Sequence, residues 1–196
     1  PSQWVINYYL KDLPNLSNKL VSWPAGVDLS YWRYNEFGKR KLVLIYIKQS
    51  NTKKKFIIGK YLKYLKSLNF NYKIIYYGSY NNIYYRKILH QSKFAIFFSN
   101  SESQGIALLE SWAAGVPTLV FYNNVLKYKN YPDIICETAP YLNDSNGLYF
   151  KDFENFKTQI NLFVKKYNLF QSSKWVENNM TNKKSVEKLL ELINNI

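Results

Sequence analysis

The hydrophobic positions of this chain alternate between short continuous apolar runs and amphipathic segments. The run at 42–48 is continuously apolar, which predicts a strand buried on both faces, and further strands are predicted at 72–77, 94–98 and 118–122. The apolar residues between these runs recur at helical spacing, which predicts helices at 53–68, 83–91 and 106–114, with two closing helices near 153–167 and 183–193. Residues 1–23 are predicted to be a helix or a loop broken at Pro14, and residues 24–28 a turn.

Strands and helices alternate regularly in this prediction. Such alternation is typical of an α/β fold in which an open, Rossmann-like parallel sheet carries helices on both faces. Ligands of these sheets bind beyond the carboxyl ends of the strands. That rule selects the loop after Lys48, the turn at Gly78-Ser79 and the loop at 99–105.

Composition sets the limits of the interpretation. The chain has 196 residues, 47% of them hydrophobic, which is enough for one large domain or for one domain with appendages. The single cysteine, Cys136, allows no internal disulfide and has no companions that would predict a zinc site. The longest apolar runs have the length of strands, far below the roughly 20 residues of a membrane span.

The net charge of +14 predicts an anionic partner, which could be nucleic acid, anionic lipid or a phosphorylated small ligand. However, the chain is also crowded with Lys, Asn, Ile and Tyr, so a compositional bias explains the charge about equally well. Charge alone therefore does not identify the ligand.

The segment around Glu102 and Glu110 carries the strongest chemical signal. Ser101 and Gln104 match a capping box, which would start a helix there and point its free N–H groups at a phosphate. Gly105 removes a side chain where a ligand could approach. Along a helix Glu110 would lie about 12 Å beyond Glu102, so each carboxylate could hold one end of a ligand rich in hydroxyls and phosphate. A solvated helix face is the alternative, which the apolar neighbours of Glu110 disfavour and which stays open for Glu102.

Lysines crowd the predicted start of the helix at 53–68. Lys48 ends the preceding strand, and Lys53 and Lys54 lie where a cation is unfavourable for the helix dipole. A bound diphosphate would reverse that penalty. The alternative is again compositional, because lysine is abundant throughout the chain.

Other candidates give weaker signals. His90, the sole histidine, has no Ser or Cys partner signature and is predicted to be structural or exposed. The tyrosines between residues 76 and 85 could stack on a base, although aromatic residues at this spacing more often fill core or surface. No P-loop or Gly-x-Gly-x-x-Gly motif is present.

These motifs together resemble a known family. Glu102-x7-Glu110, with Gly105 and the segment at 113–117, is similar to the donor-binding half of GT-B retaining glycosyltransferases, the GT4-like group also called glycosyltransferase group 1. The Gly26-Val27-Asp28 turn and the Gly-apolar segment at 146–150 look like flanking motifs of that half, in the right order. The resemblance covers about residues 24 to 193.

The resemblance implies a role for each site residue. Glu102 would lie against the donor sugar as the catalytic residue, and Glu110 would bind the ribose of the nucleotide. Backbone amides would contact the sugar and phosphates, and a basic pair would hold the diphosphate. The base would lie near the turn after the second strand. The backbone amides are those of Ser103, Gln104, Gly105 and Ile106. The basic pair is Lys48 with Lys53 or Lys54, and the turn near the base is Gly78 and Ser79.

The resemblance also implies the chemistry. A hexose-type sugar would move from a nucleoside diphosphate sugar to an acceptor, with retention and without a metal or other cofactor. One departure from the family pattern is that Ile47-Lys48 replaces the usual Gly-Arg after the first strand.

The expected organisation is two-part. Residues 1–23 would be the tail of a missing N-terminal acceptor-binding domain, and residues 24–196 the donor-binding domain, which alone would transfer poorly. Cytoplasmic localisation is expected, and peripheral membrane contact is compatible with it. Two alternatives stay open: a non-catalytic nucleotide-sugar-binding module, and a basic protein that binds nucleic acid or anionic membranes. On the main interpretation nucleic acid is not the expected partner.

Overall fold

The computed structural model describes residues 1–34, 40–48 and 52–194, apart from the side chains of residues 52–57. Along the chain the strands are β1 (Leu42–Lys48), β2 (Tyr72–Tyr76), β3 (Ser92–Ser99), β4 (Thr118–Phe121), β5 (Val125–Leu126), β6 (Ile134–Ile135) and β7 (Gly147–Phe150). Five of them form one sheet in the order β2-β1-β3-β4-β7, and every pairing in it is parallel. Strands β5 and β6 form a separate antiparallel pair. The predicted open parallel sheet is therefore confirmed.

The helices lie between and after the strands. They are α1 (Gln3–Asp12), α2 (Leu29–Trp32), α3 (Thr52–Ser67), α4 (Asn82–Gln91), α5 (Ile106–Ala113), α6 (Phe153–Lys166), α7 (Ser172–Asn179) and α8 (Asn182–Asn194). The five helices predicted from periodicity agree with α3, α4, α5, α6 and α8 to within one or two residues. The sequence did not predict α2, α7 or the β5–β6 pair. Helix α2 and the two strands are too short to show a period, and α7 contains only two apolar residues, Trp175 and Val176.

Alternate residues of each strand point to opposite faces of the sheet, and each face has its own core. On one face Leu44 and Tyr46 of β1 pack with α4, α5 and α7, represented by Leu89, Leu109, Trp112 and Val176. On the other face Val43 and Ile45 pack with α3 and α6, represented by Ile58, Leu65, Phe156 and Ile160. Helices cover both faces, as the continuous apolar runs predicted.

Arg40 closes the carboxyl end of α5. Its guanidinium donates to the carbonyl oxygens of Ala114 at 2.6 Å and Gly115 at 3.0 Å, groups that the end of a helix leaves without intrahelical partners. Burial lowers the pKa of Arg40 to about 10, which leaves it charged at neutral pH. The contact ties the start of β1 to the helix that carries Glu110.

The amino-terminal segment packs against the domain. The amide of Ser2 donates to the carbonyl of Ser103 at 2.8 Å, and the indole of Trp4 donates to the carbonyl of Glu102 at 2.9 Å. Helix α1 therefore packs against the loop that contains Glu102. Among the residues that the structure describes, no helix has the length and apolar character needed to cross a bilayer.

Candidate functional site at the carboxyl edge of the sheet

The carboxyl ends of β1 and β3 meet because the two strands are adjacent and parallel, with Lys48 opposite Ser99. Lys48 Nζ lies 2.8 Å from Glu102 Oε2, and the Ser99 hydroxyl donates to Glu102 Oε1 at 2.9 Å. Glu102 is only 8% exposed. Both of its carboxylate oxygens are thus satisfied, as a buried charge requires.

The main chain also holds the Glu102 loop. The amide of Glu102 donates to the carbonyl of Glu137 at 2.8 Å, in the loop that follows β6. With the contacts from Ser2 and Trp4, the loop is fixed from both sides. Sequence reasoning missed Ser99, Trp4 and Glu137 as residues that position Glu102. Only Ser99 had a detectable signal, since it ends the strand next to the one ended by Lys48.

Helix α5 begins later than the capping box predicted, and that prediction is wrong. The residue that precedes α5 is Gly105, and no side chain caps this end of the helix. Gln104 instead donates to the carbonyl of Trp23 at 3.2 Å and accepts from the Tyr141 hydroxyl at 3.1 Å. These distant partners outcompete a local cap. Glu102 therefore lies in a loop, and the spacing of 12 Å along one helix to Glu110 does not apply.

Gly105 has a conformational reason to be glycine. Its φ is +69°, a left-handed conformation that side chains rarely adopt, and an added Cβ would lie 3.2 Å from Leu108 Cδ1. We expect Gly105→Ala to lower the free energy of unfolding by about 1–2 kcal/mol. Chemical denaturation measures this change.

Gly59 offers a matched control for that substitution. It lies inside α3, where an added Cβ would meet nothing within 4 Å. Gly59→Ala should therefore stabilise the protein by about 0.5–1 kcal/mol. Equal effects of the two substitutions would contradict the conformational explanation.

Glu110 is the second acid of the site and has a different environment. It is half-buried on α5, and its carboxylate has no hydrogen-bond or ion-pair partner among the described residues. Burial raises the pKa of Glu110 to about 7. A desolvated carboxylate without a partner is costly and rare, so this group is positioned to accept hydrogen bonds from a ligand.

Tyrosines lie beside Glu110 at the same edge. The hydroxyls of Tyr46 and Tyr80 are 3.0 Å apart. Burial raises the pKa of Tyr80, and the negative charge of Glu110 adds to this effect. The Tyr85 hydroxyl lies 2.8 Å from both the Ala107 carbonyl and the Ser111 hydroxyl. Tyr80 and Tyr85 belong to the packed interior, whereas the exposed Tyr77 has Lys48 Nζ 4.7 Å from its ring centre.

The structure brings most of the predicted site residues to one edge. Ser103 and Ile106 are exposed beside Glu102, and Gly78 and Ser79 form an exposed turn after β2, where Gly78 has φ +78°. Lys53 and Lys54 fall in the first turn of α3, with side chains outside the described part of the chain.

The two weaker candidates lie in packed surroundings. His90 is half-buried and stacks on Tyr34 at 4.4 Å, with Nε2 3.3 Å from the Trp32 carbonyl, in accord with a structural role. Cys136 is a buried free thiol. Within the described ranges, no three His, Cys, Asp or Glu side chains come together as a metal site would require.

Comparison with solved structures identifies the fold. Sucrose-phosphate synthase from Thermosynechococcus elongatus aligns with a TM-score of 0.63 at 11% identity, over 99% of this chain and 56% of that one. The GtfA/B complex aligns with a TM-score of 0.57 at 17% identity, over 87% of this chain and 39% of that one. S. aureus TarM, in complex with fondaparinux, alpha-GlcNAc-glycerol and UDP, aligns with a TM-score of 0.55 at 18% identity, over 94% of this chain and 42% of that one.

This chain therefore spans between 39% and 56% of the length of these solved chains. No curated protein matches it. The family described as glycosyl transferases group 1 matches residues 46–183, well over half of the chain and including both motif acids. The fold is the Rossmann-like α/β fold of GT-B enzymes, and the chain belongs to the glycosyl transferases group 1 family.

Proposed function

We propose that this chain is the donor-binding domain of a retaining glycosyltransferase and binds a nucleoside diphosphate hexose at the carboxyl edge of its sheet. The observation that carries the proposal is Glu110, a half-buried carboxylate without a described partner. A ribose presents two adjacent hydroxyl donors, which would satisfy such a carboxylate. Family membership and the position at the carboxyl ends of parallel strands support the same ligand class.

The diphosphate would lie between the cations of the first strand–helix loop and the start of α5. Lys48 is half-buried at that position, and in the proposal Lys53 or Lys54 joins it. The first amides of α5 have no intrahelical acceptors, and the helix dipole favours an anion there. The left-handed Gly105 allows close approach of the backbone to the phosphates and sugar.

The sugar would lie beside Glu102, with the backbone from Ser103 to Ile106 around it. Because Lys48 and Ser99 hold the carboxylate of Glu102, its orientation is set before any ligand binds. Such preorganisation favours charge stabilisation in a transition state. The base would lie near Gly78 and Ser79, where the exposed ring of Tyr77 offers a stacking surface.

In the proposed reaction the glycosidic bond to the diphosphate breaks, the acceptor hydroxyl attacks the same face of the sugar, and the hydroxyl proton passes to the leaving diphosphate. Lys48 and the amides of α5 would stabilise the charge that develops on the leaving diphosphate, without a metal. The acceptor would be bound by a further, N-terminal domain, and membrane contact is compatible with this arrangement. This part rests on the family and on the greater length of the solved chains with this fold.

Isothermal titration with UDP, GDP and ADP at pH 8 tests the proposal. We expect saturable binding of one nucleoside diphosphate and a roughly 10- to 100-fold weaker affinity in Glu110→Gln, because hydrogen bonds to a charged group are lost. Asp144→Asn is the control, since Asp144 is an exposed carboxylate in a loop.

The same titration separates this function from general binding of anions. An unrelated oligonucleotide is titrated at low and high salt alongside the nucleotides. If no nucleotide binds and the oligonucleotide binds with strong salt dependence, the proposal fails and a basic nucleic-acid binder replaces it. Equal weakening in Glu110→Gln and Asp144→Asn would also contradict the assigned role of Glu110.

A further inference from the structure

Tyr77 lies at the carboxyl edge of the sheet, directly after β2. Its amide donates to the carbonyl of Ile47 at 2.9 Å, which extends the parallel pairing of β1 and β2 and brings Tyr77 beside Lys48. Tyr77 is 61% exposed and belongs to neither core. Core packing therefore does not account for the position of this ring.

The ring of Tyr77 lies against the ammonium group of Lys48. Lys48 Nζ is 4.7 Å from the ring centre, within the range of about 6 Å in which an aromatic face attracts a cation. The same Nζ donates to Glu102 Oε2 at 2.8 Å. The ammonium group is thus held between a ring that follows β2 and a carboxylate that follows β3.

These two contacts matter because a lysine side chain is flexible. Its ammonium group is a point charge on a four-carbon stem, and ordering that stem on a ligand costs conformational entropy. Here the stem is ordered before any ligand binds, while 32% of the Lys48 side chain stays exposed. Of the three N–H donors of the ammonium group, one has an acceptor within the described ranges, namely Glu102, which leaves two for an anion.

A ring suits this position better than a second acid would. Another carboxylate beside Lys48 would cancel its charge and repel a diphosphate. The ring of Tyr77 is neutral, so it attracts the ammonium group and leaves the positive charge in place. Since a ring has two faces, a cation on one face leaves the other for the base.

We propose that Tyr77 is a positioning residue of the donor site, whose ring holds the Lys48 ammonium group where its two remaining N–H donors bind the diphosphate. The inference rests on the proposed function, because it requires a nucleoside diphosphate at this edge. Tyr77 acts through Lys48, by reducing the entropy that the lysine loses when it binds phosphate.

Two substitutions of Tyr77 test the role of the ring. Tyr77→Leu removes the ring, whereas Tyr77→Phe keeps it and removes only the hydroxyl. Tyr128→Leu is the matched control, because Tyr128 is 56% exposed and follows β5, away from Lys48. In isothermal titration with UDP, GDP and ADP, we expect Tyr77→Leu to bind the nucleoside diphosphate recognised by the wild type roughly 2- to 5-fold more weakly. Tyr77→Phe and Tyr128→Leu should bind it as the wild type does.

Titration with uridine, guanosine or adenosine, to match that diphosphate, separates this role from stacking on the base. The amide NMR signals of Gly78 and Ser79 follow the binding. Any stacking of the base on Tyr77 weakens nucleoside and diphosphate equally, so the ratio of the two affinities isolates the contact with Lys48. We expect Tyr77→Leu to reduce the preference for the diphosphate roughly 2- to 5-fold.

The proton NMR signals of the Lys48 ε-methylene group report the contact without a ligand. The ring current of an aromatic face shifts nearby protons upfield. We expect that shift in the wild type and in Tyr77→Phe, and its loss in Tyr77→Leu.

Three results would overturn the inference while the donor site stands: no upfield shift in the wild type, an unchanged preference for the diphosphate in Tyr77→Leu, or equal effects of Tyr77→Leu and Tyr77→Phe. If none of UDP, GDP and ADP binds the wild type, the proposed function fails, and the inference fails with it. Failure of the inference alone is therefore distinguishable from failure of the function.

Discussion

Glu110→Gln is expected to raise the free energy of unfolding at pH 8 by roughly 2–3 kcal/mol, since it removes a charge from a desolvated position. Burial raises the pKa of Glu110 from 4.5 to about 7 in the folded state. The folded protein thus binds a proton more readily than the unfolded chain. The stability that this group contributes is present below pH 4.5 and is lost as the pH rises through 7.

Urea denaturation of both proteins at pH 5 and pH 8 measures the effect. The advantage of the glutamine variant should shrink to less than about 1 kcal/mol at pH 5, where the wild-type carboxyl is mostly protonated when folded. Asp144→Asn should change stability by less than about 0.5 kcal/mol at either pH, as is usual for an exposed side chain. A difference between Glu110→Gln and the wild type that is independent of pH would show that Glu110 is not desolvated.

Such a gain in stability would accompany the loss of nucleotide binding predicted for the same substitution. Residues at functional positions often lower stability while they support function. A carboxylate that destabilises the empty site and binds a ligand fits this expectation. A purely structural acid would show the opposite pattern, because its replacement would break contacts. The two measurements on Glu110→Gln therefore separate these roles.

Trp112→Ala is expected to lower the free energy of unfolding by about 3–5 kcal/mol, through lost burial and the cavity that remains. Trp112 is 1% exposed and packs edge-to-face on Trp175 of α7 with ring centres 5.7 Å apart. Its indole donates to the Thr118 hydroxyl at 3.0 Å. It thus connects α5, which carries Glu110, to both α7 and β4.

Trp23→Ala is the matched control for this effect. The Trp23 indole also donates a hydrogen bond, to the Ser185 carbonyl at 2.8 Å, but its side chain is 42% exposed. We expect a loss of about 1–2 kcal/mol there, since little apolar area leaves water. Urea denaturation measures both variants, and equal losses would mean that α5 is not anchored through Trp112.

Much of the candidate site could be predicted from local sequence. Lys48, Gly78 and Glu102 each follow a continuous apolar run, and in a parallel sheet such ends lie along one edge. Gly105 was predicted to leave room for a ligand, and its left-handed conformation before α5 emerged only from the structure. The sequence did not indicate that Lys48 and Glu102 would form an ion pair, because that contact joins residues 54 positions apart.

Other features of the site lay outside the reach of the sequence. The capping box failed because Trp23 and Tyr141, both distant along the chain, take the side chain of Gln104. Helix α7 was missed because only two of its eight residues are apolar, and it depends on packing against α5.

The sequence by itself determined the α/β architecture, the edge of the sheet at which the proposed ligand would bind, and the two acids in a family motif. These follow from the hydrophobic pattern and from residue chemistry, which are local properties. Only the tertiary structure decided that Glu102 is held by Lys48 and Ser99 while Glu110 is left half-buried without a described partner. Pairing and desolvation depend on neighbours that the fold brings together, so they separate two acids that look equivalent in the sequence.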